Sequence, residues 1–494
     1  MSVFNKTVSN TFYMVLVWGI LTLTSFFFQL LSIKYLTQED FGISLTAINF
    51  SVFISSIVIL GFNIAIAKLI PEYIRKKKHE RARNIVSRSF IIILISSFIV
   101  SIIILINFKQ ISILLKMPVS ILILSVISMF FYSLSIFFGN IVYGMQNMKR
   151  YFISGSAFGI SRLIISFLLI LLGFGYFGPI VGFLIGNIIW LALLFTPKMI
   201  TFKIKNFNDK KLFEYSVPGL LSTFSNSLFT NAQYVILSII KTVKITGVFG
   251  VGMLISSVVA VIPNILSLSI FPILSELSVG GRKNQSLRLI KYTIKYSLFF
   301  TIPIIFIFSI FGNTVILLFA NENYVNAKYI IPIISVSSLI MSLASGMNNA
   351  IYAAKKPTTY KYILLIVSSI FLIITPVLSY LKGDIGISIG FFITMVIFFI
   401  ISFINLRKII KLEFPSMNLL KILLASFLVF VPWIFFASYV NNIISLITVS
   451  LISLVLYVLL LVLLKFYEND DKRIIKSFLN KMKINNFDKI IDRI

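Results

Sequence analysis

The chain has 494 residues, of which 59% are hydrophobic and 12% are charged, about half the charged fraction of ordinary globular proteins. This composition excludes an array of soluble domains and indicates a polytopic membrane protein. The net charge of +29 comes from basic residues in short loops between apolar runs. Such loops orient the protein in the membrane and face anionic lipid head groups, so we expect membrane lipids and no nucleic acid as partners.

Fourteen apolar runs are long enough to cross a bilayer core of about 30 Å at about 1.5 Å per residue. In chain order the predicted spans are 11–33, 42–67, 89–108, 118–143, 152–173, 178–196, 216–239, 247–274, 293–319, 329–354, 362–380, 385–406, 419–440 and 443–464. The first span follows a single charge, Lys6, and is longer than the apolar part of a cleaved signal peptide, so we expect it to be retained.

Basic residues are distributed unevenly between the two sides that these spans define. The side of the N-terminus holds 36 of the 44 lysines and arginines, the other side holds seven, and Arg162 lies inside a span. Lysine and arginine near span ends resist translocation, so the basic side is predicted to be cytoplasmic. An even number of spans then places both termini in the cytoplasm, with the protein in the plasma membrane.

The second span and the loop after it recur about two hundred residues later. Three pairs match at an offset of 201, namely Ser56 and Ser257, Asn63 and Asn264, and Pro71 and Pro272. Six spans per repeat is an even number, so both repeats share one orientation. We predict an all-α membrane protein of about fourteen transmembrane helices, with two six-helix lobes related by a parallel repeat and a C-terminal helix pair.

The predicted domains follow from these spans. They are an N-lobe (1–210), a C-lobe (211–417), spans 13 and 14 (418–464) and a basic amphipathic cytoplasmic tail (465–494). The tail either lies on the inner leaflet or packs on the loops of the protein itself.

Closely spaced glycines inside the spans predict close helix contacts, because a small residue permits backbone approach in a membrane. The pairs are Gly155/Gly159, Gly178/Gly182 and Gly386/Gly390.

Several kinds of catalytic or cofactor site are excluded by the residue types. The chain has no cysteine, and its single histidine, His79, lies in a basic loop. Residues 173–178 match the GxGxxG spacing but lie in a turn between apolar helices, with neither the strand nor the acidic residue of a dinucleotide site. We expect no enzyme, no metal site and no cofactor.

Polar residues inside the spans recur at helical spacing. The candidate substrate-binding residues of this kind are Gln29 in span 1, Asn49, Ser56 and Asn63 in span 2, Asn226, Thr230 and Gln233 in span 7, and Asn264 in span 8. Interhelical hydrogen bonds, at about 0.6 kcal/mol each, would also explain any one of them. Four polar faces, two of them related by the repeat, favour a hydrated central cleft.

Arg162 lies about ten residues, or about 15 Å, inside span 5, where extension to the membrane surface is difficult. All fifteen acidic residues map to loops, span ends or the tail, so an ion pair at that depth is not expected. We interpret Arg162 as a cavity-lining residue that binds an anion. Lys68, nearer the cytoplasmic end of span 2, either joins it or extends to the membrane surface.

The lack of mid-membrane carboxylates argues against a proton or sodium relay. A cationic cleft suits an anionic substrate such as a phosphate or pyrophosphate head group.

Three stretches resemble the Wzx-type polysaccharide biosynthesis transporters, whose superfamily also contains the MATE antiporters and the lipid II flippase MurJ. They are Gly61-Phe-Asn-Ile-Ala65 with Lys68-Leu-Ile-Pro-Glu-Tyr73, then Tyr215-Ser-Val-Pro-Gly219, and residues 247–276. The resemblance covers nearly the whole chain.

This resemblance implies a flippase that moves a lipid-linked (pyro)phosphate oligosaccharide from the cytoplasmic to the outer leaflet by alternating access of two lobes around a cationic cavity. Arg162 and Lys68 match the basic cavity residues of the family, although many relatives have arginine where Lys68 stands. Expected partners are the anionic lipid-linked sugar, membrane lipids, and glycosyltransferases or a polymerase of the same pathway.

Three alternatives remain. A lipid II-type peptidoglycan precursor flippase is chemically close. A MATE-like cation or drug antiporter would need an acidic residue in a lobe cavity, and the sequence offers none there. An integral glycosyltransferase would need carboxylates in a sizeable loop, whereas the loops are short and basic.

Overall fold

The computed structural model describes residues 3–201, 210–279, 283–353, 357–468 and 471, and these ranges contain helices and connecting segments but no strand. Their α-helices are α1 (Val3–Tyr35), α2 (Gln38–Val58), α3 (Phe62–Arg75), α4 (His79–Ile106), α5 (Phe108–Leu115), α6 (Val119–Gly144), α7 (Met148–Leu171), α8 (Phe177–Leu194), α9 (Lys210–Thr230), α10 (Ala232–Ile240), α11 (Val243–Val279), α12 (Lys283–Ile310), α13 (Gly312–Phe319), α14 (Ile331–Ala353), α15 (Pro357–Ile410), α16 (Ser416–Phe430) and α17 (Ile443–Leu463). Most of the predicted amphipathic tail, and the side chain of Pro272, lie outside the described residues.

All fourteen predicted spans correspond to helices. Within the described residues, twelve helices are long and apolar enough to cross a membrane. One of them, α15, contains two spans that meet at Lys382 and Gly383, where the backbone leaves the helical conformation. Span 7 is formed by α9 and α10, which meet at Asn231. The predicted fold class, an all-α membrane protein, is confirmed.

Span 2 differs from the prediction because it is interrupted. The sequence predicted one continuous helix over 42–67, whereas α2 ends at Val58 and α3 begins at Phe62. Between them Leu60 and Gly61 have φ angles of 53° and 72°, in the left-handed region. A Cβ at Gly61 would also overlap the backbone of α9 at residues 216–220. Glycine is therefore required here both for its backbone conformation and for the close approach of α9.

Loops that the charge pattern assigns to one side of the membrane lie together. Arg150 at the start of α7 donates a hydrogen bond to the carbonyl of Leu193 at the end of α8, at 2.8 Å. Lys211 at the start of α9 lies 3.6 Å from Glu72 at the end of α3. We call this the basic end of the spans, and the end that carries Lys116 the opposite end.

The chain forms two compact units. Unit 1 comprises Met1–Leu254, Phe319–Ile330 and Pro357–Thr394, and unit 2 comprises Ile255–Leu318, Ile331–Lys356 and Met395–Ile494. Three of the boundaries fall within α11, α13 and α15, so the units differ from the lobes 1–210 and 211–417. The division into lobes stays a prediction.

Unit 1 has a hydrophobic core between α2, α3, α4, α6 and α8, in which Phe62, Phe137 and Phe138 are buried. Buried serines connect these helices. Ser51 and Ser55 of α2 donate hydrogen bonds to the carbonyls of Ser125 and Met129 in α6, at 2.8 and 3.1 Å. The same hydroxyls also lie within hydrogen-bond distance of the Ala47 and Ser51 carbonyls in α2, so each bonds both to its own helix and to α6.

Unit 2 is built around α12, which packs against α14 and α16. Ser256 of α11 donates to the Ile331 carbonyl and accepts from Ser335 of α14, both at 3.2 Å. Near the basic end of α12, the ammonium of Lys295 is 2.6 Å from a carboxylate oxygen of Asp471, and both residues are buried. This pair was not predicted from the sequence.

The predicted glycine contacts are confirmed, and one of them recurs at equivalent positions in the two repeats. A Cβ at Gly182 of α8 would lie 2.9 Å from the Arg162 carbonyl oxygen in α7. A Cβ at Gly390 would lie 2.8 Å from Thr375 Cα, in the first half of α15. In each repeat, therefore, span 6 or its equivalent packs directly on the backbone of the preceding span.

We expect Gly390→Ala to destabilise the protein by about 1–3 kcal/mol, because the added methyl group meets backbone that cannot rotate away. Gly19→Ala in α1 is the matched control, since a Cβ there meets no atom within 4 Å and alanine favours the helix. Thermal unfolding in detergent measures both variants. Equal melting temperatures would contradict the importance of this contact.

Candidate functional site

Small residues hold α7 close to both of its neighbours, and this packing places Arg162. On the α1 side, a Cβ at Gly155 would lie 2.7 Å from Val17 Cγ2. On the α8 side, a Cβ at Gly186 would lie 3.2 Å from Arg162 Cβ. Because neither face has room for a larger residue, the Arg162 side chain is confined to the space where α1, α7 and α8 meet.

Arg162 is buried, with 9% of the residue exposed. Its Nη2 donates a hydrogen bond to Ser25 Oγ at 2.7 Å, and its Cζ lies 4.5 Å from the ring centre of Phe28 and 5.3 Å from that of Phe158. Aromatic ring faces attract a cation, but they do not neutralise it. In the described part of the chain, no carboxylate forms an ion pair with Arg162.

The Nε of Arg162 is buried and has no hydrogen-bond partner. A guanidinium presents five N–H donors in a rigid fork that matches the oxygens of a carboxylate or phosphate. A buried guanidinium with an unused donor and an uncompensated charge is chemically suited to bind an anion.

Lys68 lies elsewhere, where α3 meets α9. Its ammonium is 3.8 Å from the ring centre of Tyr215, and its side chain is exposed. The nearest acid on α3, Glu72, pairs with Lys76 at 2.6 Å and with Lys211 at 3.6 Å. The hydrogen bond from Lys76, helped by the charge of Lys211, holds the pKa of Glu72 below its usual value. Glu72 is therefore ionised near neutral pH and is occupied by other cations.

Four of the eight predicted polar residues donate hydrogen bonds to nearby backbone. Asn49, Ser56 and Thr230 each donate to a carbonyl three or four residues earlier in their own helix. Gln233 of α10 donates to the Phe229 carbonyl at the end of α9, across the break between the two helices. Local bonding therefore accounts for part of the polar pattern.

Three of the predicted residues keep an unused acceptor. The side-chain carbonyl oxygens of Gln29, Asn63 and Gln233 are buried and have no hydrogen-bond partner. Asn226 and Asn264 are exposed. Buried amide oxygens without partners are uncommon, and a ligand that donates hydrogen bonds would satisfy them.

The ten predicted residues do not form one bonded cluster. Among the described residues, no hydrogen bond, ion pair or cation–ring contact joins Arg162 to Lys68, or joins either of them to the other eight. The two cations therefore have separate surroundings.

Sequence reasoning missed several neighbours of these cations. Ser25 belongs to the polar face of α1 and gave a signal, since it lies one turn before Gln29. Phe28 and Phe158 gave none, because an aromatic residue in a membrane span is ordinary. Tyr215 stood out only as part of a stretch that resembles the polysaccharide biosynthesis transporters.

Comparison with known structures shows the same fold in several transporters. The lipid II flippase MurJ in an inward closed conformation matches with a TM-score of 0.71 and 18% identity, over 96% of this chain and 99% of that one. A multidrug resistance MATE family transporter in an inward-facing conformation matches with a TM-score of 0.62 and 14% identity, over 80% of this chain and 99% of that one.

A third similar structure is a MOP superfamily transporter from Pyrococcus furiosus, described as having a binding pocket of reversed polarity. It matches with a TM-score of 0.54 and 14% identity, over 83% of this chain and 96% of that one. A search of curated proteins found no match.

The long apolar helices define the class of the protein, which is a multi-pass membrane protein with the fold seen in these transporters. Residues 4–278, more than half of the chain, match the model of one family. The chain belongs to the polysaccharide biosynthesis protein family.

Proposed function

We propose that this protein is a flippase that moves an oligosaccharide, linked to a lipid through phosphate or pyrophosphate, from the cytoplasmic to the outer leaflet of the plasma membrane. Arg162 carries the proposal, because it is a buried cation with no carboxylate partner among the described residues. An anionic head group would supply the missing counter-charge, and the family membership supports a sugar-linked substrate.

The polar residues have a role in the same proposal. Sugar hydroxyls donate hydrogen bonds, and the unpartnered amide oxygens of Gln29, Asn63 and Gln233 accept them. Arg162 would hold the phosphate, and the lipid tail would stay in the bilayer. Asn49, Ser56, Asn226, Thr230 and Asn264 would line the same path, and Lys68 would contribute charge near the basic end.

The orientation and the moving parts belong to the proposal as well. The basic end faces the cytoplasm with both termini, and the lobes 1–210 and 211–417 alternate in opening to the two sides. Glycosyltransferases would supply the substrate, and a polymerase or further transferases would consume it. The protein itself would make and break no covalent bond.

A lipid II-type flippase is the second candidate, and the likeness to MurJ over nearly the full length of both chains favours it. Its substrate also carries a pyrophosphate, so the chemistry at Arg162 would be the same. A MATE-like cation antiporter is a weaker candidate, because a buried arginine repels a cationic substrate.

We expect Arg162→Ala to reduce transport by about 10- to 150-fold, because a hydrogen bond to a charged group contributes about 1.5–3 kcal/mol. Arg162→Lys should restore part of the loss, since it keeps the charge but not the planar fork. Transport is measured in proteoliposomes in three separate experiments, with a lipid-linked oligosaccharide, with lipid II and with a cationic drug.

Lys149→Ala is the matched control, because it removes an exposed cation from the same helix. Thermal unfolding of both variants separates loss of transport from loss of fold. Wild-type flipping by Arg162→Ala would exclude Arg162 from substrate binding. If the protein flips only lipid II, lipid II replaces the lipid-linked oligosaccharide as the proposed substrate. If it transports only the cationic drug, the protein is not a flippase.

A further inference from the structure

Two short helices occupy equivalent places in the two repeats. α5 follows the long helix α4, and α13 follows the long helix α12. Each has eight residues, and their first residues, Phe108 and Gly312, differ by about the repeat offset. In each case the segment after the short helix contacts a helix of the other repeat, at the opposite end of the spans.

The first of these segments is centred on Lys116, which caps α5 with a left-handed φ of 53°. Its ammonium donates hydrogen bonds to the backbone carbonyls of Ile239 and Lys241, at the end of α10. Ser238 of α10 also donates to the Leu115 carbonyl at 2.5 Å. A cation at the end of a helix satisfies carbonyl groups that lack a partner in the helix and interacts favourably with its dipole.

The second segment, Phe319–Ile330, belongs to unit 1, although its chain neighbours on both sides belong to unit 2. We call it the strap. The side chain of Gln38 at the start of α2 donates to the Asn323 carbonyl at 2.8 Å. Tyr324 is fully buried, with its ring centre 6.3 Å from that of Phe41 in a perpendicular arrangement. Among the described residues, a hydrogen bond and an aromatic contact therefore join the strap to α2.

Between these two contacts the repeats meet along their backbones. A Cβ at Gly247 of α11 would lie 2.5 Å from the Gln38 carbonyl oxygen in α2. A Cβ at Gly250 would lie 3.3 Å from the Phe41 ring. The opposite end is therefore closed at the line where α2 meets α11, with Lys116 and the strap as additional contacts.

Both additional contacts have the properties of a reversible closure. Lys116 is exposed, and its bonds are open to competition from water. The hydroxyl of Tyr324 is buried without a hydrogen-bond partner, so water would satisfy it if the strap moved away.

We propose that Lys116 and the strap form a two-part outer clasp, which closes the opposite end of the line between the repeats and must release before the substrate can leave. That a substrate leaves at this end rests on the proposed function, whereas the movement of Lys116 and the strap rests on the contacts described above. Each repeat supplies one part and receives the other.

Cross-linking tests the clasp directly, because the chain has no cysteine of its own. The test pair is Lys116→Cys with Lys241→Cys, joined by a short bis-thiosulfonate that reduction removes. The control pair is Tyr380→Cys with Lys241→Cys, since the Lys241 ammonium lies 5.7 Å from the Tyr380 ring centre within one repeat. We expect the test cross-link to lower flipping at least about tenfold, reversibly, and the control cross-link to leave it unchanged.

A second measurement does not depend on any substrate. Tyr324→Cys is labelled with a membrane-impermeant maleimide, alone and together with Lys116→Ala. We expect Lys116→Ala to raise the labelling rate severalfold, because the clasp opens more often. Lys109→Ala, which removes an exposed cation from the same short helix, should leave the rate unchanged.

The outcomes separate the two proposals. Flipping that persists through the Lys116–Lys241 cross-link, or labelling that Lys116→Ala does not change, would overturn the clasp. If proteoliposomes flip neither lipid-linked substrate, the proposed function fails, and the labelling rates still decide whether the clasp opens.

Discussion

A disulfide between Ile64→Cys in α3 and Gly219→Cys in α9 is expected to abolish transport, and reduction is expected to restore it. A Cβ at Gly219 would lie 2.8 Å from the Gly61 carbonyl oxygen and 3.1 Å from Ile64 Cβ, so the substitution must move α3 and α9 slightly apart. The same movement gives the Cβ separation of about 3.5–4.5 Å that a disulfide needs. The two helices belong to different repeats and meet at the basic end. A transporter that must open to this side cannot do so while they are covalently joined.

The polar contacts between α3 and α9 are weak enough to break, as the proposed alternating access requires. Lys68 lies on the ring of Tyr215, and Lys211 lies 3.6 Å from Glu72, with all the cations involved exposed. Exposed pairs of this kind contribute about 0–1 kcal/mol each. Because the pKa of Glu72 is lowered in the folded protein, its ion pairs contribute fully to stability at pH values above the pKa that Glu72 has in the unfolded chain. This contribution is lost as the pH falls through the lowered pKa.

Ile70→Cys with Gly144→Cys is the matched control for this disulfide. A Cβ at Gly144 lies 3.2 Å from Ile70 Cβ, and the bridge joins α3 to α6 at the same end but within one repeat. Flipping in proteoliposomes is measured before and after oxidation, with bridge formation confirmed by mass spectrometry. Undiminished transport by fully bridged Ile64–Gly219 protein would mean that α3 and α9 do not separate.

The spans and their packing were predictable because the bilayer imposes simple rules on the sequence. The length of each apolar run predicts a membrane-spanning helix. Inside the bilayer the hydrophobic effect does not drive helices together, so small residues such as Gly182 and Gly390 mark where helices pack closely. The break at Gly61 was not predictable from hydropathy, because the run on both sides of it is apolar. It depends on α9, which lies about 150 residues further along the chain.

The candidate site was predictable only in part, for a related reason. The depth of Arg162 in its span and the lack of acids nearby indicated a buried cation without an ion pair, and Arg162 is buried and has no carboxylate partner among the described residues. Its contacts with Phe28 and Phe158 depend on rotamers and helix crossing, which hydropathy does not encode. Lys68 has the same charge but is exposed on Tyr215, so similar residue types had different surroundings.

Lys295→Ala is expected to destabilise the protein by about 3–5 kcal/mol, because it leaves a buried carboxylate without its cation. Lys295 is 1% exposed and Asp471 is 0% exposed, and their charged atoms are 2.6 Å apart. Tyr296 donates a hydrogen bond to the other oxygen of Asp471, also at 2.6 Å. The start of the predicted tail is therefore part of the packed structure of unit 2 and holds the chain after α17 against α12.

Thermal unfolding in detergent measures this loss, and Lys291→Ala one turn earlier on α12 is the matched control. Removing both charges, with Lys295→Met and Asp471→Leu together, should recover most of the stability, because the cost arises from the unpaired charge rather than from the lost attraction. A chain that ends at Arg473 keeps the pair and should melt with the full-length protein, whereas one that ends at Tyr467 should melt with Lys295→Ala. If Lys295→Ala melts at the wild-type temperature, the pair does not stabilise unit 2, and the residues after α17 do not anchor it.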